Sequence, residues 1–73
     1  MKTVQIHPRD NVAVALEPLS RGAQPEDCPV LREDVPQGHK LALRDIPSGG
    51  EIVKYGCVIG FAKEDIQAGA WVH

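Results

Sequence analysis

The sequence predicts a small all-β domain, and three observations lead to this prediction. Seven glycines and six prolines are spread through 73 residues, so no window holds a long helical stripe of apolar residues. The apolar runs are short, rich in β-branched residues and mostly alternate with polar ones. At four places an aliphatic residue is followed three positions later by glycine, which indicates one turn used repeatedly.

Six segments have the pattern of strands. In chain order they cover residues 4–7, 11–16, 39–44, 51–55, 58–62 and 70–73. The segment 58–62 is the most apolar, so it is predicted to lie in the core together with the neighbouring Cys57. The polar stretch 24–29 contains two prolines and is predicted to be the least ordered loop, with Cys28 as a loop residue.

The repeated turn accounts for the chain reversals between these strands. Proline at its second position and glycine at its fourth favour a type I turn. Three copies follow an aspartate, Asp34, Asp45 or Asp65, whose carboxylate is expected to accept hydrogen bonds from nearby backbone amides. The four copies are Leu19-Ser20-Arg21-Gly22, Val35-Pro36-Gln37-Gly38, Ile46-Pro47-Ser48-Gly49 and Ile66-Gln67-Ala68-Gly69.

Length, charge and composition exclude several classes of function. The length predicts one domain over residues 1–73. A net charge of −2 and only three aromatic residues argue against nucleic acid as a partner. No run approaches a membrane span or a signal peptide, so a cytoplasmic location is expected. Two cysteines without a C-x-x-C spacing predict neither a disulfide framework nor a thiolate zinc site.

The candidate functional residues are three histidines and two lysines. His39 and Lys40 follow a turn, where an imidazole and an ammonium group are suited to a carboxylate or a metal, although on local evidence a solvated turn explains them better. Lys54 ends a strand and also remains open, while Tyr55 beside it is expected to pack. His7 and His73 have no local metal-ligand spacing, so a metal would need ligands from another chain or domain.

Four groups of residues, taken together in this order, resemble a known family. The sequence is similar to the N-terminal domain of altronate/galactarate dehydratases over roughly residues 6–73. The set combining G-H-K, K-Y-G and I-G is specific, whereas the D-[VI]-x-x-G turns are shared by the wider class of SAF domains. The matching groups are Asp10-Asn11-Val12-Ala13-Val14, Gly38-His39-Lys40-x-Ala42-Leu43-x-Asp45-Ile46, Lys54-Tyr55-Gly56-x-x-Ile59-Gly60-x-Ala62 and Asp65-Ile66-x-x-Gly69-x-x-Val72-His73.

The resemblance implies both a fold and a reaction. The fold is a β-clip of the SAF type, made of short strands. The complete enzymes are hydro-lyases that remove water from a sugar acid to give a 2-keto-3-deoxy acid, and they depend on a divalent metal such as iron or manganese. Related two-part enzymes act on sulfolactate. The chain would then be an accessory domain or small subunit whose partner is a large catalytic domain or subunit.

The matching positions also suggest roles for individual residues. His39 is the candidate catalytic residue, Lys40 and Lys54 are candidates for binding the substrate carboxylate, and His7 and His73 are candidate metal ligands. If Leu41 and Leu43 lie in the core, strand alternation turns His39 inward and Lys40 outward.

Other functions stay open beside an accessory role in a dehydratase. One is a non-catalytic β-clip module that binds a carbohydrate or a protein. Another is a docking or oligomerisation piece of the same enzyme, with incidental histidines. Uncovered strand edges also predict a homo-oligomer.

Overall fold

The computed structural model describes all 73 residues and contains strands and turns but no helix. The predicted all-β class is therefore confirmed, and each predicted segment overlaps one observed strand, usually a shorter one. No helix is present that could cross a membrane. The strands are β1 (Thr3–Val4), β2 (Val12–Ala15), β3 (Lys40–Ala42), β4 (Glu51–Lys54), β5 (Cys57–Phe61) and β6 (Trp71–Val72).

The strands form a four-stranded antiparallel sheet and a separate hairpin. The sheet has the order β1-β2-β3-β6. Its two central strands align Ala13 with Leu41, and β3 aligns Leu41 with Trp71. The hairpin consists of β4 and β5, with a register shift after Ile52. The last strand in the sequence thus pairs with the third and forms one edge of the sheet.

The core lies on both faces of this sheet. On one face Ala13, Ala15 and Leu41 pack against loop residues that include Leu19, Leu31 and Val35. On the other face Val12, Ala42 and Val72 pack against Ile46 and Ala62. Successive residues of β2 and β3 therefore enter different clusters, because side chains alternate between the two faces of a strand.

The repeated turn is a reversal of a different type from the one predicted. In the second copy the amide of His39 donates to the carbonyl of Pro36 at 3.1 Å. The hydrogen-bonded turn therefore begins at the proline, and Gly38 occupies its third position with φ of 82°. A positive φ at the third position defines type II and explains the glycine. The glycines of the other three copies have φ between 81° and 88°.

The aspartates before these turns bind the opposite turn and not their own. Asp45 Oδ1 accepts a hydrogen bond from the amide of Ala68, and Asp65 Oδ1 accepts one from the amide of Ser48, both at 2.8 Å. The two turns are also joined by an isolated bridge between Ile46 and Ile66. The turns at Ile46 and Ile66 therefore lock each other reciprocally.

The first pair of turns carries half of this lock. Leu19 and Val35 form the equivalent bridge. Asp34 Oδ1 accepts from the amide of Arg21 at 2.9 Å. The position before Leu19 is Pro18, which has no carboxylate to return the contact.

The prediction that residues 58–62 and Cys57 lie in the core is wrong except for Ala62. Val58, Ile59 and Phe61 are 47%, 50% and 63% exposed, and Cys57 is exposed. Tyr55, expected to pack, is 54% exposed. The reason is topological: β5 pairs only with β4, so nothing in the chain covers it.

The polar loop 24–29 folds back onto the core, which its polar composition did not indicate. Cys28 is buried in the cluster that contains Ala13, Ala15 and Leu41. Its amide donates to the carbonyl of Pro25, and the side chain of Gln24 donates to the carbonyl of Cys28. Cys28 is a loop residue, as predicted, and it also takes the core position expected for Cys57.

Candidate functional site

The structure brings two of the predicted histidines together around an indole ring. The β3–β6 register pairs Lys40 with Val72, and continued by one residue it places His39 opposite His73. Both imidazoles contact Trp71, with ring centroids 5.3 Å and 4.0 Å from the indole. Residues opposite each other in an antiparallel pair have Cβ atoms about 5 Å apart, so this edge presents a histidine pair.

Trp71 fixes the position of this pair. Its amide donates to Glu33 Oε2 at 3.1 Å, which ties β6 to the segment before the second turn. Its indole Nε1 is buried without a hydrogen-bond partner. Both histidine side chains are exposed and make no hydrogen bond to the chain, so their ring nitrogens are free to meet a ligand.

A second group of candidates surrounds the tip of the β4–β5 hairpin. Tyr55 and Gly56 have φ of 58° and 73°, the conformation of a two-residue type I′ turn. A Cβ on Gly56 would lie 3.0 Å from the ring of His7. The Nζ atom of Lys54 lies 4.9 Å from the centre of the Tyr55 ring. His7 and the K-Y-G motif, Lys54-Tyr55-Gly56, therefore lie close together.

Asp10 is the buried anchor of this second group. Its Oδ1 accepts from the amide of Gly56 at 2.8 Å and its Oδ2 from the amide of His7 at 3.0 Å. Burial disfavours ionisation of the carboxyl group, but hydrogen bonds from the backbone amides of Gly56, His7 and Tyr55 outweigh it. The pKa of Asp10 is therefore lower than the usual 3.8.

Asn11 completes the attachment of the hairpin to the sheet. Its side chain donates to the carbonyl of Glu51 and accepts from the amide of Val53, both at 2.8 Å. Together Asp10 and Asn11 hold the turn and one edge of β4, and we call these two residues the hairpin clamp. The Asp-Asn motif that carried the sequence resemblance thus has a structural role in this domain.

The predicted site residues do not form a single constellation. His7 and Lys54 lie near the start of β2, whereas His39 and His73 lie by its end, where the amide of Ala15 donates to the carbonyl of His39. Four residues of β2 separate the two groups by about 10 Å.

Lys40 and His39 project from opposite faces of β3, as alternation predicted, but their exposure is reversed. His39 is exposed and Lys40 is half-buried. Leu41 is fully buried, yet His39 on the same face lies beyond the core and against Trp71. Lys40 is partly covered because it is aligned with Val14 and Val72 on the two neighbouring strands.

A surface groove lies beside the histidine pair and was missed from the sequence. It runs between the end of β5 and β6, and both polar and apolar side chains line it. Its lining includes Arg32, Glu33, Phe61, Ile66, Trp71 and His73. No local motif indicates this groove, because its walls come from three distant parts of the chain.

The residues of this chain do not by themselves provide a metal site. No three histidine, cysteine, aspartate or glutamate side chains lie close enough together to hold an ion. The Nδ1 atom of His7 already accepts a hydrogen bond from the amide of Arg9 at 3.1 Å. A divalent metal bound to His39 or His73 would therefore need further ligands from outside the chain.

Fold and site together define a small all-β module with a histidine pair and a groove at one edge and an uncovered hairpin. Comparison with known proteins identifies its family. The family model of the altronate/galactarate dehydratase SAF domain matches residues 1–73. The chain belongs to this family of SAF domains.

Two of the similar proteins are enzymes much longer than this chain. Altronate dehydratase of Escherichia coli K12 is 47% identical over 76 aligned residues, which cover 100% of the chain and 15% of the enzyme. Galactarate dehydratase (L-threo-forming) of the same strain is 45% identical, over 94% of the chain and 14% of the enzyme. The alpha subunit of (2R)-sulfolactate sulfo-lyase from Chromohalobacter salexigens is 37% identical over 59% of the chain and 46% of that subunit.

Proposed function

We propose that the chain is an accessory domain or small subunit of a sugar-acid dehydratase acting on altronate or galactarate. The 47% identity to an altronate dehydratase, extending over the whole chain, carries this proposal. The chain corresponds to only 15% of that enzyme, so a large catalytic domain or subunit is the proposed partner. We expect the assembly to work in the cytoplasm.

Dehydration of a 2,3-dihydroxy acid needs three kinds of help. The proton α to the carboxylate must be removed, the negative charge that develops must be stabilised, and the departing hydroxyl group must receive a proton. A divalent metal such as iron or manganese would stabilise that charge, with ligands mainly from the large partner. Side chains of this chain would bind and orient the substrate and carry a proton.

His39 is the best-supported candidate for the proton carrier. Its side chain is exposed, and its ring stands perpendicular to that of Trp71, which also contacts His73. Its position on the rim lets it enter a site formed with a second domain. Lys40 follows His39 directly in the sequence, so of the two lysines proposed to bind the carboxylate it is the one nearer to His39. Lys54 lies with the hairpin tip and would contact a substrate only if the partner extends along the module.

The first experiment exchanges this segment between proteins. The chain replaces the matching segment of the Escherichia coli altronate dehydratase, and formation of the 2-keto-3-deoxy acid from altronate is followed with iron or manganese present. The proposal expects turnover by the exchanged enzyme and a large loss when the segment is deleted. An exchanged enzyme that is folded but inactive, or a deletion that keeps full activity, would contradict it.

Substitutions in the exchanged enzyme test the individual roles. His39→Ala should mainly lower kcat, whereas Lys40→Ala and Lys54→Ala should mainly raise KM. Lys2→Ala is the matched control, because Lys2 is an exposed lysine outside both candidate groups. Unchanged kinetics in all three variants would favour the second candidate function, a non-catalytic module for docking, oligomerisation or carbohydrate binding. The uncovered hairpin is the observation that favours that alternative.

A further inference from the structure

The uncovered hairpin concentrates much of the apolar surface of the molecule. Eight large apolar side chains are exposed in the whole chain, and four of them lie on this hairpin: Tyr55, Val58, Ile59 and Phe61. Strand β5 contains no charged residue and no proline between Cys57 and Phe61. Charges and prolines are the usual protection of an exposed edge strand, so this strand is built to be covered.

The hairpin is held rigidly although it projects from the sheet. The hairpin clamp of Asp10 and Asn11 makes three hydrogen bonds of 2.8 Å to residues of the hairpin. One edge of β4 pairs with β5, and the other edge is hydrogen-bonded to Asn11. The outer edge of β5 is therefore the only unpaired strand edge of the hairpin. A preformed surface loses little conformational entropy on binding, which suits a permanent docking element.

We propose that β5 and the hairpin tip dock onto the large catalytic portion of the dehydratase, through an apolar surface of that portion. This inference rests on the proposed function. The altronate and galactarate dehydratases named above are about seven times as long as the matching segment, which makes up 15% and 14% of them, so a large body of protein is available to cover the strand. The four-stranded sheet does not compete for this role, since both of its faces are already filled.

The chain contains its own reporter for this docking. Cys57 begins β5 and is exposed, whereas Cys28 is buried in the core. In the isolated chain at micromolar concentration, a maleimide should modify Cys57 readily and Cys28 slowly. In the exchanged enzyme described above, docking should protect Cys57 by at least about tenfold in rate, because the thiol is reached only after local opening. Mass spectrometry of the two peptides separates the reactions.

Two variants and a matched control complete the test. Ile59→Lys, or Phe61→Gln if the first variant is unstable, should restore the reactivity of Cys57 in the exchanged enzyme and lower its altronate turnover. Leu16→Lys changes a side chain of similar exposure, 44%, that follows β2 and lies outside the hairpin. It should leave both readings unchanged.

The possible results separate this inference from the proposed function. An inactive exchanged enzyme contradicts the proposed function. An active one whose Cys57 reacts as fast as in the isolated chain overturns the docking surface alone. Protection that is already present in the isolated chain, and is no stronger in the enzyme, would make a second copy of the chain the occupant and would also overturn it.

Discussion

Gly69 shows how a single missing side chain supports the fold. It is buried, its φ is 87°, and a Cβ atom there would collide with the carbonyl group of Val30. The backbone of the loop before β3 therefore lies directly against the fourth turn. The glycine is required twice, once for the turn and once for this close approach.

Gly69→Ala should therefore be far more damaging than the same change in an equivalent turn. Gly49 has nearly the same φ, 81°, but open space around it, so Gly49→Ala should cost about 1 kcal/mol of unfolding free energy. Gly69→Ala should cost about 3 kcal/mol or more, because backbone atoms must move. Urea unfolding of both variants measures the difference, and equal losses would mean that the close approach is unimportant.

Asp10 makes the stability of the domain dependent on pH in the acid range. Its pKa is lower in the folded chain than the ordinary 3.8, so the folded state favours the ionised form. The resulting stabilisation is fully present above pH 3.8 and disappears as the pH falls through the lowered value. We expect Asp10→Asn to be less stable than the parent at pH 7.

The difference between parent and Asp10→Asn isolates this carboxyl group from the other acids. It should stay constant from neutral pH down to about pH 5 and shrink below pH 3.8. Urea unfolding at a series of pH values measures it. A difference that grows on acidification would show that Asp10 is not ionised in the folded chain.

Among the elements, the reciprocal lock between the third and fourth turns is open to a direct test. Asp45→Ala and Asp65→Ala each remove one hydrogen bond to the opposite turn and should each cost about 1 kcal/mol. Glu64→Ala is the control, since this neighbouring exposed carboxylate makes no hydrogen bond in the structure, and it should change stability by less than about 0.5 kcal/mol.

The double substitution shows whether the two contacts act as one lock. If they do, removing both costs less than the sum of the single losses, with a coupling of about 0.5 kcal/mol or more. Strict additivity in urea unfolding would mean two independent hydrogen bonds that merely happen to be symmetric.

How far the sequence predicts these elements depends on how local their causes are. The turn glycines and the strand segments follow from neighbouring residues, and both were found. The turn was predicted one residue too early, with proline at its second position, which suits type I. In the structure the turn begins at the proline, and the glycine at its third position dictates type II. Strand β5 was placed in the core because composition shows that a segment is apolar, not whether its own chain covers it.

The site was less predictable, because its contacts join distant residues. His39 and His73 lie opposite each other only because β6 pairs with β3, and no local sequence pattern indicates this pairing. The hairpin clamp links residues 40 to 46 positions apart. The family resemblance indicated that the Asp-Asn and K-Y-G motifs matter, but only the structure shows that they bind each other.

At the scale of the whole molecule, we expect the isolated chain to have no dehydratase activity. Purified alone with iron or manganese, it should give no 2-keto-3-deoxy acid from altronate or galactarate, because it lacks a complete set of metal-binding side chains. Turnover above a metal-only blank would contradict this.

The isolated chain is also expected to self-associate when concentrated. With its partner absent, the apolar strand β5 is free to pair with another copy. Light scattering should show a mass that rises from monomer at micromolar concentration towards dimer or larger at millimolar concentration. Ile59→Lys should suppress this rise in mass. A parent chain that stays monomeric at every concentration would contradict the prediction of self-association.

The hairpin clamp also has a consequence for how the chain folds. Asp10 meets Gly56 across 46 residues, and β3 receives its outer neighbour only when residues 71 and 72 are present. A chain dominated by such distant contacts folds slowly, in milliseconds to seconds. During synthesis the first fifty residues would leave the ribosome without the hairpin partners of Asp10 and Asn11, so folding should begin only when nearly the whole segment has emerged.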